Sequence, residues 1–100
     1  MRVEAVEAIA ADFPGATGVT ARAGGATTWS VGDRPFAVLA GDGIELRLDA
    51  AVAVAAIRTP DTGPSTRGPE WILFQPPVLD PHAVDRLEAW FALAYRRARA

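Results

Sequence analysis

The side chains that most often carry acid–base or nucleophilic chemistry are few in this sequence and are not grouped. The chain has one histidine, His82, and it has neither cysteine nor lysine. Ser30 and Ser65 are its two serines, and neither lies in the Gly-x-Ser-x-Gly pattern of a hydrolase nucleophile. A Ser-His-Asp triad would depend on His82, which falls in the first turn of an expected helix. We therefore predict no catalytic residue and a non-enzymatic protein.

Metal and phosphate motifs are also missing from the sequence. Transition-metal sites usually draw on several His or Cys ligands, and a Walker phosphate loop requires a lysine. No metal and no cofactor are therefore expected. The carboxylates are scattered, so no acid–base pair stands out. Those at expected turns and helix starts are Asp33, Asp42, Asp49 and Asp80.

All ten basic residues are arginines, and the formal net charge is −2. A protein that binds nucleic acid through charge alone needs a field that attracts phosphate, so this chain would need one local patch of arginines. The charge balance thus argues against strong, sequence-independent binding of nucleic acid, and our first functional hypothesis, weak contact with DNA through such a patch, rests on a family resemblance. The candidates on expected sheet edges, hairpins and loops are Arg22, Arg34, Arg47 and Arg67.

Residues 27–48 carry two of these four arginines, Arg34 and Arg47. Their three short runs of β-forming residues are separated by Gly-Asp turns, which predicts a β-meander. Alternation along these runs assigns the two faces of the expected sheet. We expect the helices to cover the face that carries Trp29, Phe36, Val38, Ile44 and Leu46. Ala37 and Leu39 are expected on the opposite face.

The flanking segments predict three helices and two further strands. Apolar spacing indicates a helix from Val3 to Phe13 that ends at Pro14-Gly15, and a weak edge strand follows at Val19–Arg22 within the glycine-rich stretch 16–26. Asp49 and Asp80 are expected helix N-caps, and Pro81 suits a first helical position. The remaining expected elements are a helix over 50–57, a proline-rich loop over 58–69, a strand over 70–74 and a final helix after Asp80.

A second functional hypothesis concerns the face of the sheet that the helices leave open. An apolar centre with a polar rim often marks a ligand or partner surface. The contacts expected there are Leu39, Arg47, Trp71 and Leu73. The alternative is that the 58–69 loop or the N-terminal segment covers this face.

The length and composition indicate a single domain over residues 1–100. Half of the residues are hydrophobic and 22% are charged, which is ordinary globular composition. No apolar run approaches the roughly 20 residues of a membrane span, and the first residues do not resemble a signal peptide. We expect a cytoplasmic protein that is a monomer or a homodimer, with Leu93 near Trp90 as a candidate dimer contact.

Several sequence segments resemble the small MmcQ/YjbR-like proteins over nearly the whole chain. That resemblance implies an α+β domain of order α-β(3)-α-β(2)-α, with one antiparallel meander sheet, helices on one face and a frataxin-like arrangement. It also implies DNA binding by a double-wing domain. Arg34 and Arg47 stand where that family often has lysine. The matching segments are Phe13–Ala16, Trp29–Ala37, Ile44–Leu48, Gly68–Ile72 and Ala94–Arg96.

A competing resemblance is to small actinobacterial domains that carry the label "luciferase family". These domains are similar in their glycine-rich start, their aromatic strand and their final Ala-Tyr-Arg-Arg helix. Their hairpin reads Phe-Ala-His-Leu-His, whereas this chain has Phe36–Ala40 without either histidine. The MmcQ/YjbR-like resemblance is therefore the preferred one.

Overall fold

A computed structural model describes residues 1–22 and 25–100 as one layer of strands and one layer of helices. Ala23 and Gly24, part of the glycine-rich stretch noted above, lie outside the described residues. The elements are helix α1 (Val3–Ala10), strands β1 (Ala16–Thr20), β2 (Thr27–Val31), β3 (Arg34–Ala40) and β4 (Gly43–Arg47), helix α2 (Ala50–Ala56), strands β5 (Thr62–Pro64) and β6 (Trp71–Phe74), and helix α3 (Pro81–Arg99).

The strands form one antiparallel sheet in the order β1-β2-β3-β4-β6-β5. This confirms the expected α+β class and the meander over residues 27–48. The first strand starts earlier than expected, since Ala16 pairs with Val31 and Thr20 with Thr27. Gly15 has a φ of +86°, a conformation that glycine adopts readily, and the turn it makes lets the chain enter the sheet at once. The edge strand is therefore Ala16–Thr20 instead of Val19–Arg22.

The segment 58–69 is not a plain loop as expected, because it contains β5. Thr62 pairs with Phe74 and Pro64 pairs with Ile72, which makes β5 the last strand of the sheet. A proline lacks the N–H group that a central strand would need, so it is tolerated at such an edge. Thr59 stabilises the approach to β5 by donating from its hydroxyl to the carbonyl of Ala56.

A β-bulge in β3 overturns the expected assignment of faces. Trp29 is opposite Ala37, whereas Ser30 is opposite Pro35, so Phe36 is an extra residue between the two pairs. Such a residue shifts the alternation by one position. Ala37 and Leu39 therefore lie in the core, and Val38 lies on the other face of the sheet, outside the core cluster.

The core lies between the sheet and the helices and is centred on Phe91 of α3. Its ring contacts those of Phe13, Trp29 and Phe36 at centroid distances of 5.5, 6.3 and 5.1 Å. Tilted and edge-to-face pairs of this kind add to the energy gained by burial. Phe13 follows α1, which is shorter than expected, yet it still packs against the core. One cluster thus unites all three helices with the sheet.

Both predicted helix caps are present. The carboxylate of Asp49 accepts a hydrogen bond from Ala51 N at 3.1 Å, and that of Asp80 accepts one from Ala83 N at 2.8 Å. Each bond satisfies an amide that the first turn of a helix leaves without a partner. Pro81 occupies the first turn of α3, where its missing N–H is not needed.

Candidate functional site

Three arginines from three different elements line one cavity at an end of the sheet. Arg34 begins β3, Arg47 ends β4, and Arg97 lies in the last turn of α3. The cavity has a volume of about 250 Å³, and Phe36 and Ala94 form part of its apolar wall. We call this cavity the arginine pocket.

The antiparallel arrangement explains why these residues meet. The first residue of β3 and the last residue of β4 lie at the same end of the sheet, and the C-terminus of α3 reaches that end. Arg34 Nη1 donates to the carbonyl oxygen of Ala98 at 3.3 Å and to that of Ala100. Carbonyls in the last turn of a helix have no partner within the helix, so a guanidinium is well placed there.

Glu70 supplies one carboxylate to two of these guanidiniums. It forms an ion pair with Arg97, and its Oε2 lies 3.8 Å from Arg47 Nε. Arg47 Nε is buried, and within the described part of the chain it has no acceptor in hydrogen-bond geometry. The three side chains are about one-third exposed or more, so these pairs stabilise the fold only weakly. The pocket keeps more positive than negative groups.

The four arginines proposed for DNA contact do not all converge. Arg22 is exposed in the turn after β1, at the opposite end of the sheet from Arg34. Arg67 Nε donates to Glu45 Oε1 at 3.0 Å, and its guanidinium lies over the Trp71 ring at 5.5 Å. Arg34 and Arg47 both line the arginine pocket, whereas Arg22 and Arg67 do not.

Arg97 is the arginine that the sequence analysis did not select as a candidate. It lies in a cluster of basic residues at the end of a helix, where the helix dipole favours cations whatever their role. Spacing along α3 could have signalled its role, because Arg97 follows Ala94 by three residues and therefore lies close to the apolar stripe.

The open face of the sheet differs from the expected ligand surface. Leu39 is only 7% exposed and belongs to the core on the helix side, because the bulge shifts the alternation of β3. Trp71 and Leu73 are half-buried. The Ser65 hydroxyl hydrogen-bonds to Glu45, which Arg67 also contacts, so residues 65–67 lie across this face. The 58–69 loop therefore covers the open face at Glu45, as the alternative to an exposed ligand surface proposed.

An apolar groove lies beside Trp71, between α2 and the segment that follows β5. Val54 of α2, Ile57 directly after that helix and Pro69 line it together with Trp71, and its volume is about 190 Å³. Val54 is 55% exposed. Of the contacts expected for a ligand face, Trp71 thus lines this groove, and Arg47 lines the arginine pocket.

The described residues offer little else for chemistry. In residues 1–22 and 25–100, no three His, Cys, Asp or Glu side chains are grouped as metal ligands would be. His82 is exposed in the first turn of α3. Over the same ranges, the helices are too short or too polar to cross a bilayer.

Comparisons with known proteins give no match: no family model, no curated protein and no solved structure is significantly similar to this chain. The resemblance to MmcQ/YjbR-like proteins therefore stays a prediction from short sequence segments. The arginine pocket and the apolar groove are the two features whose geometry supports a function.

Proposed function

We propose that this protein is a non-enzymatic, MmcQ/YjbR-like module that binds the DNA backbone weakly through the arginine pocket. The observation that carries the proposal is the convergence of Arg34, Arg47 and Arg97 on one cavity. A guanidinium presents several N–H donors in a planar fork that matches phosphate oxygens, and three of them can surround one phosphate group. A cytoplasmic location, where DNA is accessible, is part of this proposal.

The charge around the pocket supports contact with a polyanion. Arg96 and Arg99 lie in the same last turn of α3 as Arg97 and add to the positive charge at this end of the helix. The net charge of the chain is −2, so this local concentration of arginines is what would attract phosphate. Binding should therefore be weak and independent of DNA sequence.

Salt dependence of DNA affinity tests the proposal directly. Fluorescence anisotropy of a labelled duplex should give a log–log slope of affinity against salt of about −2.7 if the three pocket arginines each replace a counterion. Arg34→Gln and Arg97→Gln should each weaken binding and reduce the size of the slope by about 1. Arg22→Gln is the matched control, because it removes the same charge from an exposed site at the other end of the sheet.

Two results would overturn this function. The first is no duplex binding up to a protein concentration of about 10⁻⁴ M at low salt, since non-specific binders reach that affinity even at physiological salt. The second is an equal loss for Arg22→Gln and Arg97→Gln, which would mean that the pocket is no special site. Thermal unfolding of each variant should accompany the titrations, because Arg34 also bonds the C-terminal turn of α3.

A second candidate function is the binding of an apolar ligand or partner in the groove beside Trp71. The observation that favours it is the exposure of Val54 and Ile57, at 55% and 36%, next to a half-buried tryptophan. Apolar clefts of this kind are the usual form of small-ligand sites. The fluorescent probe anilinonaphthalene sulfonate should bind there, and Val54→Asp should abolish its signal. Val19→Asp, at a valine of β1 that is 66% exposed, is the control. An unchanged signal in Val54→Asp would remove this candidate.

A further inference from the structure

We infer that Glu70 is a built-in competitor for the arginine pocket, and that an incoming phosphate group displaces its carboxylate from Arg47 and Arg97. This inference rests on the proposed function and names the regulation of the same site. Its starting point is the pairing of one carboxylate with two guanidiniums at the wall of a cavity that a third guanidinium also lines.

The arrangement of the three arginines suits a phosphate group better than the carboxylate of Glu70. Glu70 contacts Arg47 and Arg97 but not Arg34, whose Nη1 donates to backbone carbonyls of the last turn of α3. A carboxylate has two oxygens, whereas a phosphate group offers at least two free anionic oxygens and further ester oxygens to several forks at once. A phosphate can therefore engage all three arginines, which Glu70 does not.

The ion pair between Glu70 and Arg47 lacks a hydrogen bond. Arg47 Nε is buried, and it has no acceptor in hydrogen-bond geometry among the described residues, although Glu70 Oε2 lies 3.8 Å away. A buried donor without an acceptor is unfavourable, and an oxygen at normal hydrogen-bond distance would relieve it. A ligand oxygen that replaces the Glu70 carboxylate would supply that acceptor.

Displacement of Glu70 requires little rearrangement of the fold. The Glu70 side chain is 34% exposed, so it can turn into solvent, where its charge is hydrated. Its backbone stays in place, because the Glu70 carbonyl accepts a hydrogen bond from Leu48 N. A pocket of about 250 Å³ has room for a phosphate group and several waters, since one water occupies about 30 Å³ of the liquid.

The test is the isosteric variant Glu70→Gln, which removes the competing charge. Its affinity for a labelled DNA duplex and for inorganic phosphate should rise by up to about fivefold, the range expected for a partly exposed ion pair. Glu88→Gln, an equal change of charge at an exposed position of α3, should leave both affinities unchanged. In Arg97→Gln both affinities should fall, and thermal unfolding of all three variants checks that the fold is kept.

The NMR signal of Arg47 distinguishes displacement of the Glu70 carboxylate from a general effect of charge on affinity. In ¹⁵N-labelled protein, the Nε–H resonance of Arg47 should shift on titration with inorganic phosphate, because the proton gains a strong acceptor. The Arg22 resonance should stay in place. A tighter-binding Glu70→Gln variant with a shifted Arg47 resonance supports the inference.

The outcomes distinguish failure of this inference from failure of the proposed function. If wild-type protein binds the duplex through Arg34 and Arg97, but Glu70→Gln binds with equal or lower affinity, the inference is wrong and the function stands. If inorganic phosphate binds more tightly to Glu70→Gln and the duplex binds to neither protein, the competitor role stands and DNA is the wrong source of phosphate. If neither probe binds either protein, both proposals are wrong.

Discussion

The indole nitrogen of Trp29 lies 2.8 Å from the position that a Cβ atom on Gly18 would occupy. The two residues are opposite each other in the pairing of β1 with β2, and the Trp29 side chain is only 2% exposed. The absence of a side chain at Gly18 is therefore what allows the edge strand to close over the indole ring. A buried ring held by the core cannot move aside for a methyl group.

Gly18→Ala should destabilise the protein by about 1–3 kcal/mol, the usual effect of overpacking. Gly63→Ala is the control, because a Cβ atom on Gly63 of β5 would meet no atom within 4 Å. Its effect should be neutral, or stabilising by up to about 1 kcal/mol through the lower entropy of the unfolded chain. Urea unfolding measures both changes, and equal effects of the two substitutions would contradict this account of Gly18.

Phe91→Ala should remove about 3–5 kcal/mol from the free energy of unfolding, because a fully buried ring leaves a cavity when it is deleted. That loss is a large share of a total stability that is about 5–15 kcal/mol in most domains. Leu93→Ala is the control on the same helix, since Leu93 is 41% exposed and its loss should change stability by no more than about 0.5 kcal/mol. Thermal and urea unfolding should rank the two variants in this order. The reverse order would mean that α3 packs with another face toward the sheet.

Asp80→Ala should lower the free energy of unfolding by about 0.5–2 kcal/mol through loss of the cap on α3. The affected bond is the one from Ala83 N to the Asp80 carboxylate. Asp80→Asn should retain most of the stability, because its side-chain oxygen can accept the same bond. Asp85→Ala, one turn further along the helix, should have a smaller effect. If Asn is as destabilising as Ala at position 80, the cap is not the source of the stability.

Glu45→Gln should loosen residues 65–67 from the open face of the sheet. The glutamine keeps an acceptor for Ser65 but loses the charge that holds Arg67. Trypsin should then cleave after Arg67 up to about fivefold faster, since an ion pair of this exposure contributes at most about 1 kcal/mol. Cleavage after Arg58 in the same sample is the internal reference. The difference between variant and wild type should shrink as salt is added, and a difference that persists in high salt would show that charge is not the cause.

The sequence predicted the parts of the fold that depend on neighbouring residues. The sequence predicts hairpins at Gly32-Asp33 and Gly41-Asp42, the two Asp caps and a final helix after Asp80, and the structure contains them. Each of these features depends on residues that are close together in the sequence, so residue type and spacing are enough to predict it. The α+β class follows from their order.

The sequence did not predict features that depend on the pairing of distant segments. The bulge at Phe36 arises only when β3 is aligned with β2, and it sends Leu39 into the core although plain alternation placed it outside. The strand β5 has a proline and a glycine among its three residues, and it is ordered only because β6 offers it an edge. Intrinsic β-propensity could not indicate either feature.

The sequence alone predicted the class of fold, the starts of α2 and α3 at their Asp caps, and a chain that has arginine but no lysine. Only the tertiary structure decided which arginines act together. Arg34 contacts the last turn of α3 across a separation of 64 residues, and Glu70 joins Arg47 to Arg97 between β4 and α3. Charges that far apart in the chain leave no local pattern, because their distance in space is fixed by strand register and helix packing.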